Sequence, residues 1–183
     1  MPIEHVNITE ADLHELKGAS TAVIDSIPVS DGAGSHAWKI LAPHHALYYD
    51  NIGTGTTIST PTAYTLVGPA TVGEATPKEF THNSLGRLTY TGTLARDVWI
   101  DVVVTLKHSV GSGQDCFFQI HKNGVAVAGS QTVTTADSAN YTNASISGEI
   151  DAVATNDYFE VFCKVASGSI IVHAMNMRVQ GQE

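Results

Sequence analysis

The sequence predicts an all-β fold, a sandwich or barrel of short antiparallel strands. Three observations predict it. Val98, Ile100, Val102, Val104 and Leu106 alternate with Trp99, Asp101, Val103, Thr105 and Lys107, the period-two pattern of a half-buried strand. Turn signals then recur between short apolar runs: Ser112-Gly113, Asn123-Gly124, Asn156-Asp157 and Ser167-Gly168. The third observation is that no convincing helical periodicity appears across this region, and several short strands between regular turns are the mark of a sandwich or barrel.

Taken in order, the strands are expected at Gly86–Thr91, Val98–His108, Cys116–Lys122, Val125–Gln131, Ala144–Val153, Tyr158–Val165 and Ser169–Val179. Cys116–Lys122 and Val125 onward are joined by Asn123-Gly124, the strongest short hairpin signal. Upstream, Pro61, Pro69 and Pro77 punctuate short extended pieces, with Ala63–Val67 an expected edge strand. Asn51–Thr60 is rich in Gly and Thr and reads as a hinge, and Thr132–Asn143 and Gly111–Asp115 read as surface loops.

Residues 1–50 differ in character. They hold Glu4, Glu10, Asp12, Glu15, Asp25, Asp31 and Asp50 against only Lys17 and Lys39, and five of the nine histidines. Thr9–Leu16 carries a helix-start pattern, with Thr9 as N-cap and Gly18 as stop. The periodic apolar content is too low for a separate core. The expected organisation is an N-terminal partner-binding arm (1–50), a linker with edge segments (51–79) and a β domain (80–183).

At 183 residues the chain can bury a sizeable core without a staple. The net charge of −9, with basic residues scattered singly, argues against a nucleic-acid partner. No apolar run approaches the roughly 18 residues of a membrane span, and no basic start followed by an apolar stretch marks a secretion signal. Cys116 and Cys163 each sit inside an apolar strand-like run and are expected as buried, reduced thiols.

Chemical motifs give no catalytic residue. His14-Glu15 lacks the second histidine of a zinc-protease helix. The neighbouring His44 and His45 point oppositely in an extended chain and make a poor chelate. Asp31-Gly32-Ala33-Gly34-Ser35 is not followed by the Gly-Lys-Ser/Thr of a phosphate loop, and no serine lies in a Gly-x-Ser-x-Gly elbow. The chain is read as a non-enzyme with no metal site and no cofactor. It carries instead a surplus of outward apolar residues. If the Val98 series faces the core, Trp99 and Val103 face away; if Phe159, Val161, Cys163 and Val165 point in, Tyr158 and Phe162 point out; and Phe117 opposes Phe118. Apolar patches on an otherwise polar surface mark association.

Two stretches carry a resemblance. Leu85 to Val102 (Leu-Gly-Arg-Leu-Thr-Tyr-Thr-Gly-Thr-Leu-Ala-Arg-Asp-Val-Trp-Ile-Asp-Val) resembles the opening strands of tumour-necrosis-factor/complement-like jelly rolls in bacteriophage virion proteins. There Leu-x-Tyr-x-Gly, a short turn and an Arg lead into an alternating strand, and the later hairpin and strands keep the same order over roughly residues 80 to 180. Leu13-His14-Glu15-Leu16-Lys17-Gly18, followed by Asp31–Ser35 and Trp38, resembles a leader of phage head-fibre and decoration proteins. This chain departs from that leader at Leu16, where Pro is usual, and at His36, where Gly is usual.

The resemblance implies a jelly-roll β-sandwich (tumour-necrosis-factor-like) with an extended N-terminal arm, assembled as a homotrimer on a virion. It implies a capsid decoration (cement or head-fibre) protein bound to the major capsid protein. Leu13, His14, Glu15, Lys17, Gly18 and Trp38 would form the capsid contact, and Trp99, Phe117, Tyr158 and Phe162 the trimer contact. The alternative is a tail-fibre or receptor-binding module that recognises host glycans through its loops.

Overall fold

The computed structural model describes residues 26–30, 36–40, 44–50, 55–59, 65–67, 73–74, 79–83 and 86–182. The expected helix at Thr9–Leu16 lies outside them. Chain packing divides the molecule between Ala42 and Pro43. In the first unit, β1 (Ser26–Ser30) and β2 (His36–Ile40) form an antiparallel pair with Pro28 opposite Trp38.

The second unit is a sandwich. Its strands are β3 (His44–Asp50), β4 (Thr56–Ile58), β5 (Thr65–Leu66), β6 (Gly73–Glu74), β7 (Phe80–His82), β8 (Leu88–Tyr90) and β9 (Arg96–His108). They continue as β10 (Gln114–Lys122), β11 (Val125–Ala126), β12 (Thr132–Ala136), β13 (Thr142–Val153), β14 (Tyr158–Val165) and β15 (Ile170–Gln182). One sheet runs β13-β9-β15-β3-β6, with β4 also on β15; the other runs β11-β10-β14-β8-β7, with β12 on β10 and β5 on β14.

The pairing is nested. β3 pairs with β15, β8 with β14, β9 with β13 and β10 with β12, all antiparallel. A long hairpin rolled up so that successive pairs fall in alternate sheets gives this order, which is that of a jelly roll. The all-β jelly-roll sandwich expected from the sequence is the fold observed.

Alternation drives the packing. Along β9, Val98, Ile100, Val102, Val104 and Leu106 are buried, while Asp97, Trp99, Asp101 and Val103 are exposed. Facing them across the core are Cys116, Phe118 and Ile120 of β10 and Phe159, Val161, Cys163 and Val165 of β14. Leu88 and Tyr90 of β8 and Phe80 of β7 fill one side, the Phe80 and Tyr90 rings 5.2 Å apart. Each such side chain withdrawn from water contributes about 1.5–3 kcal/mol.

Four expectations are corrected. The segment Val125–Gln131 is not one strand: β11 ends at Ala126 and the chain turns through Gly129 (φ 77°). The buried Ser130 hydroxyl takes over the ladder there, accepting from Ile120 N at 3.1 Å and donating to Val127 O at 2.8 Å. Thr132–Ala136, read as loop, is β12 and pairs with Gln114–Phe118. Within the Gly/Thr-rich segment read as a hinge, Thr56–Ile58 pairs with Ile170–Val172. His44–Asp50, placed by composition at the end of the arm, pairs with Ala174–Gln180 in the sandwich.

Candidate interaction surfaces

The residues predicted for the trimer contact fall on two opposite outer faces of the sandwich. On the β10–β14 sheet the outward register rows are Val133–Phe117–Lys164, Gln119–Phe162 and His121–Glu160. Phe117, Tyr158 and Phe162 are half-buried there, and Val133 is 53% exposed. Two of these rings are already covered within the subunit. His121 stacks on Phe162 with centroids 3.9 Å apart and planes 15° apart. The Arg87 guanidinium lies 3.8 Å above the Tyr158 ring while its Nε donates to Glu160 Oε1 at 2.9 Å. Glu160 is almost wholly buried, and this ion pair is what makes its burial tolerable. The more open apolar strip is therefore Val133 with Phe117.

Trp99 belongs to the other face. Its neighbours in register are Glu149 and Gln180, and its indole Nε1 donates to Asp101 Oδ1 at 2.9 Å. Two rows along, Val103 lies between Ser145 and Asn176 and is 43% exposed. Trp99 and Val103 are thus two exposed apolar residues on this face, with Asp101 between them. At the far end of that sheet, the Tyr141 ring is tilted against His173 at 4.8 Å with Lys107 Nζ 5.3 Å from its centre.

Of the residues predicted for the capsid contact, Leu13, His14, Glu15, Lys17 and Gly18 lie outside the described residues. Trp38 lies on β2. The structure thus brings Phe117, Tyr158 and Phe162 to one face and keeps Trp99 apart from them. Val133 is not expected at this surface from the sequence, because Thr132-Val133-Thr134-Thr135-Ala136 reads as loop; its β-branched run is the available strand signal. Nor does the sequence show the covering groups Arg87 and His121, which reach their rings only through tertiary pairing.

Among the described residues no group of three or more His, Cys, Asp or Glu is placed to hold a metal ion, and no helix is long and apolar enough to cross a membrane. Cys116 and Cys163 are free and buried, and burial pushes their thiols up, to about 11 and about 12.

No protein-family profile matches the chain, and no curated protein does. Solved structures do. The PRD1 vertex protein P5 is 14% identical with a TM-score of 0.47, covering 76% of this chain and 96% of its own. Eiger TNF from S. frugiperda is 11% identical (TM-score 0.46; 77% and 94% covered), and murine APRIL is 12% identical (TM-score 0.47; 76% and 99% covered).

Proposed function

We propose that this chain is a structural virion protein that decorates assembled bacteriophage heads. The region before Pro43 binds the major capsid protein and the jelly roll self-associates as a homotrimer on the capsid surface. The observation that carries this reading is the division of the chain at residue 42. Both leader segments, Leu13–Gly18 and Asp31–Trp38, precede the division, and the sandwich follows it. A protein that binds the assembled shell but not its separated subunits stabilises the shell by mass action.

The exposed apolar residues on the two faces support a cyclic trimer. In head-to-tail association each subunit offers one face to one neighbour and a different face to the other, which two unlike patches supply; a threefold rotation between successive subunits closes it as a trimer. Trp99 with Val103 on one face and Phe117 with Val133 on the other are those patches.

The test is decoration of undecorated heads. The full chain is expected to bind them and raise their disruption temperature. A chain beginning at Pro43 should lose binding while keeping its β-sheet circular dichroism. The cut belongs at residue 42 rather than 50, because removing His44–Asp50 strips a strand from the sandwich. If the truncated protein still decorates heads, the arm assignment fails; binding to tails or host cells instead of heads favours the receptor-binding alternative.

A further inference from the structure

His108 ends β9 at one end of the sandwich and is completely buried. Both of its ring nitrogens are used, in opposite senses. The Val110 N–H donates to Nδ1 at 3.0 Å. A ring nitrogen that accepts carries no proton, so the proton is on Nε2, which donates to the Ser167 carbonyl at 2.8 Å. Around the ring the backbone is laced together: His108 N donates to Asp137 O at 2.8 Å, and Ser109 N to Ser169 O at 3.0 Å. Ser169 N in turn donates to Ser109 Oγ at 2.8 Å. Gly168 makes room, with φ of 73°; a Cβ there would lie 2.6 Å from His108 Cε1.

An imidazolium donates from both nitrogens. Protonating His108 would set an N–H against the Val110 N–H in a site closed to water, and the lost bond has no replacement there. We propose that His108 is a proton-operated latch. In its neutral form the ring ties Val110 in the β9–β10 connection to Ser167 in the β14–β15 connection, and on protonation it releases Val110 while still donating to Ser167. This reading does not depend on the proposed function.

The charged groups on the surrounding elements do not supply the missing acceptor. The β12–β13 turn brings Asp137, whose carboxylate already accepts from the Ala139 and Asn140 N–H groups. The start of β10 brings Asp115, exposed and accepting from Thr135 Oγ1. On β9 itself the neighbour is Lys107. The β14–β15 turn and the start of β15 bring Ser167, Gly168, Ser169 and Ile170, and β4 brings Thr56 to Ile58, none of them titratable.

The test is amide hydrogen exchange on the full chain between about pH 7.5 and about pH 4.5. After correction for intrinsic rates, the Val110 amide, which donates to Nδ1, should lose at least tenfold of its protection at the acid end. Core amides such as Val102 and Phe118 should hold. In His108→Gln, whose side chain cannot take a proton, that local pH dependence should vanish. Unchanged protection in the wild-type chain, or the same response in His108→Gln, overturns the latch. Should the variant not fold, the wild-type ring answers alone. Its ¹⁵N resonances should pass from the Nε2–H form to the doubly protonated form in step with the Val110 amide. Loop opening with the ring still neutral overturns the proposal.

Discussion

At the Asn156–Asp157 turn a single carboxylate takes three donors. Asp157 accepts from Asn123 Nδ2 at 2.7 Å and from Ala154 N at 2.9 Å, and pairs with Lys122 Nζ at 2.9 Å. Asn123 completes the clasp by accepting from Tyr158 N at 2.9 Å. Burial pushes the Asp157 carboxyl up, but these bonds outweigh it and hold it below the usual aspartate range. A depressed carboxyl stabilises the fold above its unfolded value, and that contribution is lost as pH falls through the folded one. Asp157→Asn is therefore expected to cost about 1–3 kcal/mol in urea unfolding at neutral pH, with the gap to wild type closing below about pH 4. The Asn123-Gly124 turn was legible in the sequence, because φ values of 53° and 79° suit Asn and Gly. Its anchoring to Asp157 was not, since nothing local links residues 34 positions apart. The thiols give a second residue-scale prediction. With Cys116 and Cys163 raised to about 11 and about 12, neither should react with a thiol reagent at neutral pH in the native chain, and both should in denaturant. Ready labelling of the folded protein would contradict their burial.

The strands that were easiest to read are those with one dry face and one wet face. β9, β10 and β14 fall within two residues of their expected limits, because a one-residue slip would turn every core side chain outward. β12 was missed because four of its five residues are only partly buried or exposed, leaving little apolar alternation to read. β4 was missed because its short Thr-rich run gains strand character from Ile170–Val172, a partner far along the chain. β9 offers a direct test of the alternation. Ile100→Ala should destabilise by about 2–5 kcal/mol, whereas Asp101→Ala, on the outer face beside it, should cost less than about 1 kcal/mol. Equal losses in denaturant titrations would mean that the two faces are not distinguished as described.

For the whole molecule, the proposed trimer makes a prediction that depends on its faces being unlike. Trp99→Lys and Phe117→Lys spoil opposite sides of the same ring contact, so each alone should run as a monomer in mass measurement. Mixed in equal amounts they retain one intact pairing, the native Trp99 face of one against the native Phe117 face of the other. Open dimers should form, and no closed trimers. Dimers from either variant alone would instead indicate a face that pairs with itself. The jelly-roll order has a different consequence for how the chain is made. β15 lies between β9 and β3 in its sheet, yet among the sandwich strands described it comes last in the chain. Until it arrives, β9 and β3 each have an unpaired edge, and the nested pairing cannot be completed by local contacts. Folding of the sandwich must wait for β15 and then proceed through long-range closure, which is slow. The nascent sandwich is in that interval a species prone to sticking to its neighbours.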